Sequence, residues 1–450
     1  MIKKLLLFAL LMSFSVKAQY TIKGTLKPAD KYSWAILYKL NSSAQQYIKN
    51  TKVKDGKFSF ELPKKAKTGV YRILYDLNNN GFVDVIFNNQ NIAFTFNPQN
   101  PTEDINFTSS NENKLYLDFT KKMVKPQQKL DSLQLAYIGA DKIAKNKILF
   151  QYKKALLNFN QMQGHFERLS KGMLAHHFIV ADKRFNSPTL FDSTALFLNS
   201  IKSHYFDYID FKDSVLLNSS FIVDRINEYL FYLNVSPDRK TQNKLYKDAI
   251  DAIVYKISDL KTKKEMVKAI INLFLKKDNG VIVDYAMDNY FLNYPQNAVD
   301  EAFQREINSK MKTAVGNTAP EITWTENGKE KKLSNLNNAK NYIVVFWSST
   351  CSHCLHQLPI FYKYLKDKKN IQVVAVGLEN DDKNWKRVIP QFDGEGWINI
   401  LGLNKWQNKF AKLYNIYATP TFLILNANKK IISKPEDVED LEAFFNHQKS

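Results

Sequence analysis

The chain has 450 residues, 44% hydrophobic and 24% charged, an ordinary composition for a folded protein of two to four domains. Lys and Arg number 64 against 44 Asp and Glu, a formal charge of +20. The excess is nearly all Lys, spread through every region, whereas phosphate and base recognition favour the planar Arg fork; a solvated basic surface is the reading, and no nucleic-acid partner is expected.

The first residues carry Lys3 and Lys4, an apolar run from Leu5 to Val16, and the small-residue pattern Val16-Lys17-Ala18. This is the layout of a secretory signal peptide over residues 1–18, with cleavage expected between Ala18 and Gln19. The apolar run is too short for a membrane anchor, which takes about twenty residues, and no later run reaches that length. Export is therefore expected, with the mature chain soluble or peripherally associated and without a transmembrane segment.

Residues 19–110 read as a β-rich, sandwich-like module. Apolar or alternating runs recur at Tyr20–Leu26, Trp34–Leu40, Lys57–Leu62, Val70–Leu77, Phe82–Phe87 and Ile92–Phe96, separated by turn signals at Asp55-Gly56 and Asn80-Gly81. The stretch Asp76 to Asp84 has oxygen ligands at calcium-loop spacing, but Phe87 stands where a bidentate Glu belongs, and a hairpin turn is the plainer reading. Residues 111–310 change to helical periodicity, as in Leu245, Ala249, Ile253 and Ile257, and form an all-α module. Pro126, Pro188, Pro237 and Pro295 are expected to separate its helices.

Residues 311–450 alternate strand and helix patterns, which implies an α/β sheet covered on both faces. Strands are expected at Tyr342–Trp347, Ile371–Leu378, Trp397–Leu401, Thr421–Leu425 and Ile431-Ile432. Helices are expected from Ser352, near Asp382–Phe392 and Trp406–Tyr414, and from Pro435.

The chain has two cysteines, Cys351 and Cys354. A three-residue step closes almost no loop, so as a covalent staple the pair would stabilise little and its value lies in its chemistry. Cys351 falls where a buried strand gives way to a helix, and the N–H groups and positive dipole end of that helix favour a thiolate. A Cys351 thiolate attacks a substrate disulfide, and Cys354 resolves the mixed disulfide. Structural zinc needs four ligands, with His353 and His356 the only nearby candidates to complete the two thiolates, and haem attachment would need His where Leu355 sits. Copper carriage by the two thiolates and a His is the rival metal reading. No cofactor is expected. His353, between the cysteines, is expected to tune the redox pair, and His356 to be a surface residue. Pro420, in Ala418-Thr419-Pro420-Thr421, is either an ordinary strand-leading proline or a cis proline exposing the Thr419 backbone to an extended substrate.

These features occur in an order that resembles the TlpA/ResA-type branch of the thioredoxin superfamily. The likeness rests on Val315-Gly316-Asn317-Thr318-Ala319-Pro320, the strand end Phe346-Trp347, Cys351-x-x-Cys354, Pro359 in the first helix, and Ala418-Thr419-Pro420-Thr421. It covers the last 140 residues or so and implies a thioredoxin-like fold for 311–450, a cis Thr419–Pro420 bond beside the sulfurs, and thiol–disulfide exchange in the periplasm. Thr419, Pro420 and Trp347 are then the residues expected to meet the substrate. The partners implied are protein thiol or disulfide clients and a membrane electron donor or acceptor. Two carboxylates seen in relatives are replaced, one by Gln357 and one by Val345, and Ser352-His353 resembles the Pro-His pair of the periplasmic oxidant DsbA. The first two modules resemble, more loosely, the long N-terminal extensions of some Gram-negative envelope proteins. The alternative function is a non-catalytic envelope binding protein or copper carrier that uses the fold as scaffold.

Overall fold

The computed structural model describes residues 20–447 apart from 30, 43, 78, 367, 369 and 392–395. The expected signal peptide at 1–18 lies outside the described residues. The chain divides into two compact units, one up to Ile270 and the other from Ile271.

The first unit opens with β1 (Tyr20–Leu26), β2 (Trp34–Asn41), β3 (Ala44–Lys52), β4 (Lys57–Leu62), β5 (Gly69–Asp76), β6 (Gly81–Phe87), β7 (Ile92–Phe96) and β8 (Asn106–Ser109). They form two four-stranded sheets, β4-β1-β7-β8 and β3-β2-β5-β6. Strict alternation in Lys57–Leu62 turns Phe58, Phe60 and Leu62 inward, and these meet Leu37, Ile73, Val85 and Phe87 of the other sheet in one apolar core. Asp55, Gly56 and Asn80 take positive φ at the two expected turns. The Asp76–Asp84 stretch is a hairpin: Asp76 accepts from the Asn79 N–H at 3.2 Å, and Arg72 holds both Asp84 oxygens at 2.8 and 2.7 Å.

Helices follow: α1 (Asn111–Ile138), α2 (Lys142–Leu169), α3 (Leu174–Ala181), α4 (Thr194–His204), α5 (Ser214–Leu217), α6 (Phe221–Phe231), α7 (Arg239–Lys256) and α8 (Leu260–Lys276), the last running across the division between units. Pro126 does not separate helices as expected; it lies inside α1, which continues through it at the cost of one backbone hydrogen bond. The start of α1 joins the sandwich to the helices. Asn113, buried, accepts from the Ile86 N–H and donates to the Ile86 carbonyl, each at 2.8 Å. Beside it, Glu112 accepts the first N–H groups of α3, from Leu174 at 3.0 Å and Ala175 at 2.7 Å.

The second unit contains α9 (Gly280–Asn289) and α10 (Ala298–Met311), then a hairpin of β9 (Thr323–Glu326) and β10 (Lys329–Lys332). Its sheet runs β13-β12-β11-β14-β15, from β11 (Asn341–Trp347), β12 (Ile371–Glu379), β13 (Ile398–Leu403), β14 (Thr421–Asn426) and β15 (Ile431–Ser433). Strands β11, β12 and β13 are parallel, while β14 and β15 run antiparallel. The helices are α11 (Ser352–Leu365), α12 (Lys383–Val388), α13 (Lys409–Leu413) and α14 (Val438–His447). One sheet face packs Val344, Phe346 and Leu423 against Phe410 and Tyr414; the other packs Val345, Trp347 and Phe422 against Leu358 and Phe361 of α11 and Leu441 of α14. Continuous apolar strands covered on both faces are what a parallel centre requires. The architecture is therefore a β-rich region, a helical region and a C-terminal β/α domain.

Candidate active site

β11 is buried from Tyr342 to its end, and the chain leaves it through Ser348-Ser349-Thr350 before α11 begins. Cys351 is the N-cap of α11, with extended backbone, and its Sγ accepts the Cys354 N–H at 3.2 Å. A helix start offers N–H groups with no carbonyl partner, so a sulfur placed there is drawn toward the thiolate. Partial burial opposes ionisation of Cys351. Hydrogen bonds from Cys354, Thr419 and the His353 backbone outweigh it and hold the thiol below its ordinary value. Cys354 lies one turn further in and is fully buried, and burial, followed by the adjoining Cys351, pushes its thiol up to about 12. The two thiols are free, the outer one partly exposed.

The Thr419–Pro420 peptide bond is cis, and the Thr419 carbonyl lies 3.3 Å from Cys351 Sγ. Cys351, Cys354, Thr419 and Pro420 therefore share one site, with Thr419 and Pro420 both partly exposed. The other expected residues stand differently. Trp347, expected to meet substrate, is 1% exposed and packs with Cys354, Leu358 and Phe361 in the core. His353 is exposed and acts on Cys351 through its backbone N–H. Gln357 accepts the Val438 N–H at the start of α14 at 3.3 Å. Val345 is a core residue at 0% exposure.

One residue escaped the reading of the sequence. Glu379, the last residue of β12, is 3% exposed, and its Oε1 accepts the Ser349 N–H at 2.5 Å while Oε2 lies 3.4 Å from Ser348 Oγ. Ser348 in turn accepts the Cys351 N–H on its carbonyl at 3.1 Å. A buried carboxylate thus fixes the turn from which the reactive cysteine projects. The available signal was an acidic residue closing the apolar run Ile371–Leu378, since the carboxyl ends of parallel strands face the functional crevice of such sheets. Among the described residues no group of three or more His, Cys, Asp or Glu side chains converges as a metal site would require, and no helix is long and apolar enough to cross a membrane.

Residues 338–431 match the family of thioredoxin-like domains, and residues 20–116 match a domain of unknown function. The chain is 25% identical over 139 residues to the thiol-disulfide oxidoreductase ResA of Geobacillus kaustophilus, covering 30% of this chain and 77% of that protein. Among solved structures, a domain of a possible thiol-disulfide isomerase from Cytophaga hutchinsonii is 33% identical, covering 30% of this chain and 92% of that one with a TM-score of 0.27. A thioredoxin-like protein from Bacteroides caccae is 21% identical, covering 58% of this chain and 96% of that one with a TM-score of 0.44.

Proposed function

Since this chain belongs, through its C-terminal domain, to the TlpA/ResA-type thiol–disulfide oxidoreductases, we propose that Cys351 and Cys354 reduce disulfides of exported client proteins in the periplasm. The observation that carries the reading is Cys351 at the helix start, its sulfur accepting the Cys354 N–H and lying 3.3 Å from the Thr419 carbonyl. The Cys351 thiolate attacks one client sulfur, the client S–S bond breaks, and the departing client thiolate takes up a proton. Cys354 then gives up its proton and attacks Cys351 Sγ; the protein disulfide forms and the second client thiol leaves. Two electrons and two protons pass from the protein dithiol to the client disulfide, and a membrane donor restores the dithiol by the reverse exchange.

The division of labour follows from the two environments. Cys351 is the ionised, reachable nucleophile; Cys354 is held neutral by burial until the mixed disulfide forms. The backbone at the cis Thr419–Pro420 bond receives a client strand beside the sulfurs, and His353 tunes the pair from the helix surface. Cys351, held below its ordinary value by hydrogen bonds, is ready to attack a client disulfide, which suits the reductive direction.

Equilibration of the purified protein with thiol buffers tests this. A Cys351/Cys354 potential below about −220 mV is expected. A potential above about −180 mV would reverse the direction to disulfide donation. Failure of the pair to equilibrate would overturn exchange altogether and favour a binding or copper-carrying scaffold.

A further inference from the structure

Residues 403–417, which lead from β13 to the cis-proline loop, contain Lys405, Lys409 and Lys412 and no acidic residue. Two large aromatics stand on the surface of this segment, Trp406 at 40% and Tyr417 at 76% exposure. They line one cleft of about 540 Å³ together with Lys412, Asn415 and Ile416. A single exposed apolar side chain needs no explanation; two aromatics sharing a groove mark a contact surface. The backbone that carries Trp406 is itself unusual. Asn404 (φ 69°) and Lys405 (φ 42°) are consecutive left-handed residues, a conformation rare for Lys and associated with functional surfaces.

The segment that carries the cleft reaches the redox site at two points. Lys405 Nζ lies 3.5 Å from the Thr350 hydroxyl, in the turn before Cys351. Tyr417 precedes by two residues the Thr419 whose carbonyl meets Cys351 Sγ. Trp406 is thus the chain neighbour of a residue that touches the turn before Cys351, and Tyr417 lies two residues from one that touches Cys351 itself.

We propose that the Trp406–Tyr417 cleft docks the client segment next to the reacting cysteine. The occupant is an extended stretch that carries an aromatic or large apolar side chain together with acidic residues. This deepens the reading of the Cys351/Cys354 pair as an exchange site and rests on it. The aromatic pair supplies rigid apolar area with polar tips, and Lys405 and Lys412 supply the charge that selects against basic segments. The selectivity lies in the cleft, while the backbone at Thr419 treats all sequences alike.

The test is binding, measured in the full chain with Cys351→Ser so that no exchange takes place. The probe is a fluorescein-labelled peptide of about twelve residues, with serine for its cysteine, one phenylalanine and two glutamates nearby. Trp406→Ala with Tyr417→Ala is expected to weaken binding about tenfold, as loss of aromatic anchors does. Lys405→Glu with Lys412→Glu, the first half-buried and the second exposed, is expected to weaken the same peptide and strengthen one with lysines for its glutamates. No measurable binding, an affinity unmoved by the aromatic substitutions, or no reversal of charge preference would each overturn the proposal. If sedimentation instead showed that the aromatic variant dissolves a dimer, the cleft would belong to a second copy of this chain, and the proposal would fall. Binding that follows the expected pattern in a protein whose cysteines do not equilibrate with thiol buffers would sustain the docking site and sink only the exchange reading.

Discussion

Replacing Glu379 by Ala removes the acceptor that holds the turn in front of Cys351. The Ser349 N–H, which meets Glu379 Oε1 at 2.5 Å, is then left in a buried site without its partner. An unsatisfied buried donor costs about 1–3 kcal/mol, and a hydrogen bond to a charged group contributes about 1.5–3 kcal/mol, two overlapping measures of the same loss. With the space left by the missing methylenes, the expected destabilisation is about 2–4 kcal/mol. Glu379→Gln keeps the shape and one acceptor oxygen. It gives up the charge assistance but also relieves the desolvation of a buried carboxylate, so its net effect should stay within about 1 kcal/mol. Urea unfolding followed by tryptophan emission reads this well, because of the residues Trp34, Trp324, Trp347, Trp385, Trp397 and Trp406 only the first lies outside the C-terminal domain. An Ala variant as stable as the parent would mean that the carboxylate does not hold the turn. A Gln variant as damaged as the Ala variant would mean that the charge, and not the acceptor geometry, is what the turn needs.

Iodoacetamide should label Cys351 with a half-maximal pH below the ordinary cysteine value and leave Cys354, raised to about 12, unmodified while the fold persists; equal labelling of both by mass spectrometry would refute the assignment. Cys354→Ser should leave the mixed disulfide unresolved, visible on a non-reducing gel as a client adduct that Cys351→Ser does not form. In the first unit, burial and then the nearby Lys67 lower the Lys39 ammonium from 10.5 to about 8. Between those values the unfolded chain binds more protons than the folded one, so stability should rise with pH across that window, and below it the full cost of the buried charge is present. Allowing for solvent screening, that cost is about 1–2 kcal/mol. Lys39→Met should recover it at neutral pH and flatten the rise in a thermal-melt series; an unchanged slope would refute the linkage.

Where burial is two-sided or strictly alternating, the sequence reads directly. Tyr342–Trp347 and Ile371–Leu378 were visible as strands because both sheet faces are covered, and Lys57–Leu62 because one is. β3 was missed for the opposite reason: Ala44–Lys52 is polar and largely exposed, so no pattern separates it from a loop. The hairpin of β9 and β10 was missed although Asn327-Gly328 is a strong turn signal, because Lys329–Lys332 is exposed throughout. At the site, a local motif exposed Cys351 and Cys354, and a resemblance placed Pro420 beside them. Glu379 and the burial of Trp347 are facts of tertiary packing. The first depends on a strand end meeting a turn 30 residues away in sequence, and the second on which side of β11 the helix α11 covers.

Strand β6 is the last of its sheet, and a last strand offers its free N–H and C=O groups to any other chain that arrives extended. At Ile86 the amide of Asn113 already occupies both groups, as a neighbouring strand would. The guard against edge-to-edge aggregation is thus a side chain from the first turn of the following helix. A sandwich cut free before residue 111 would lose that guard and present Ile86 for β-addition, so solubility of the isolated sheets depends on keeping the start of α1 attached.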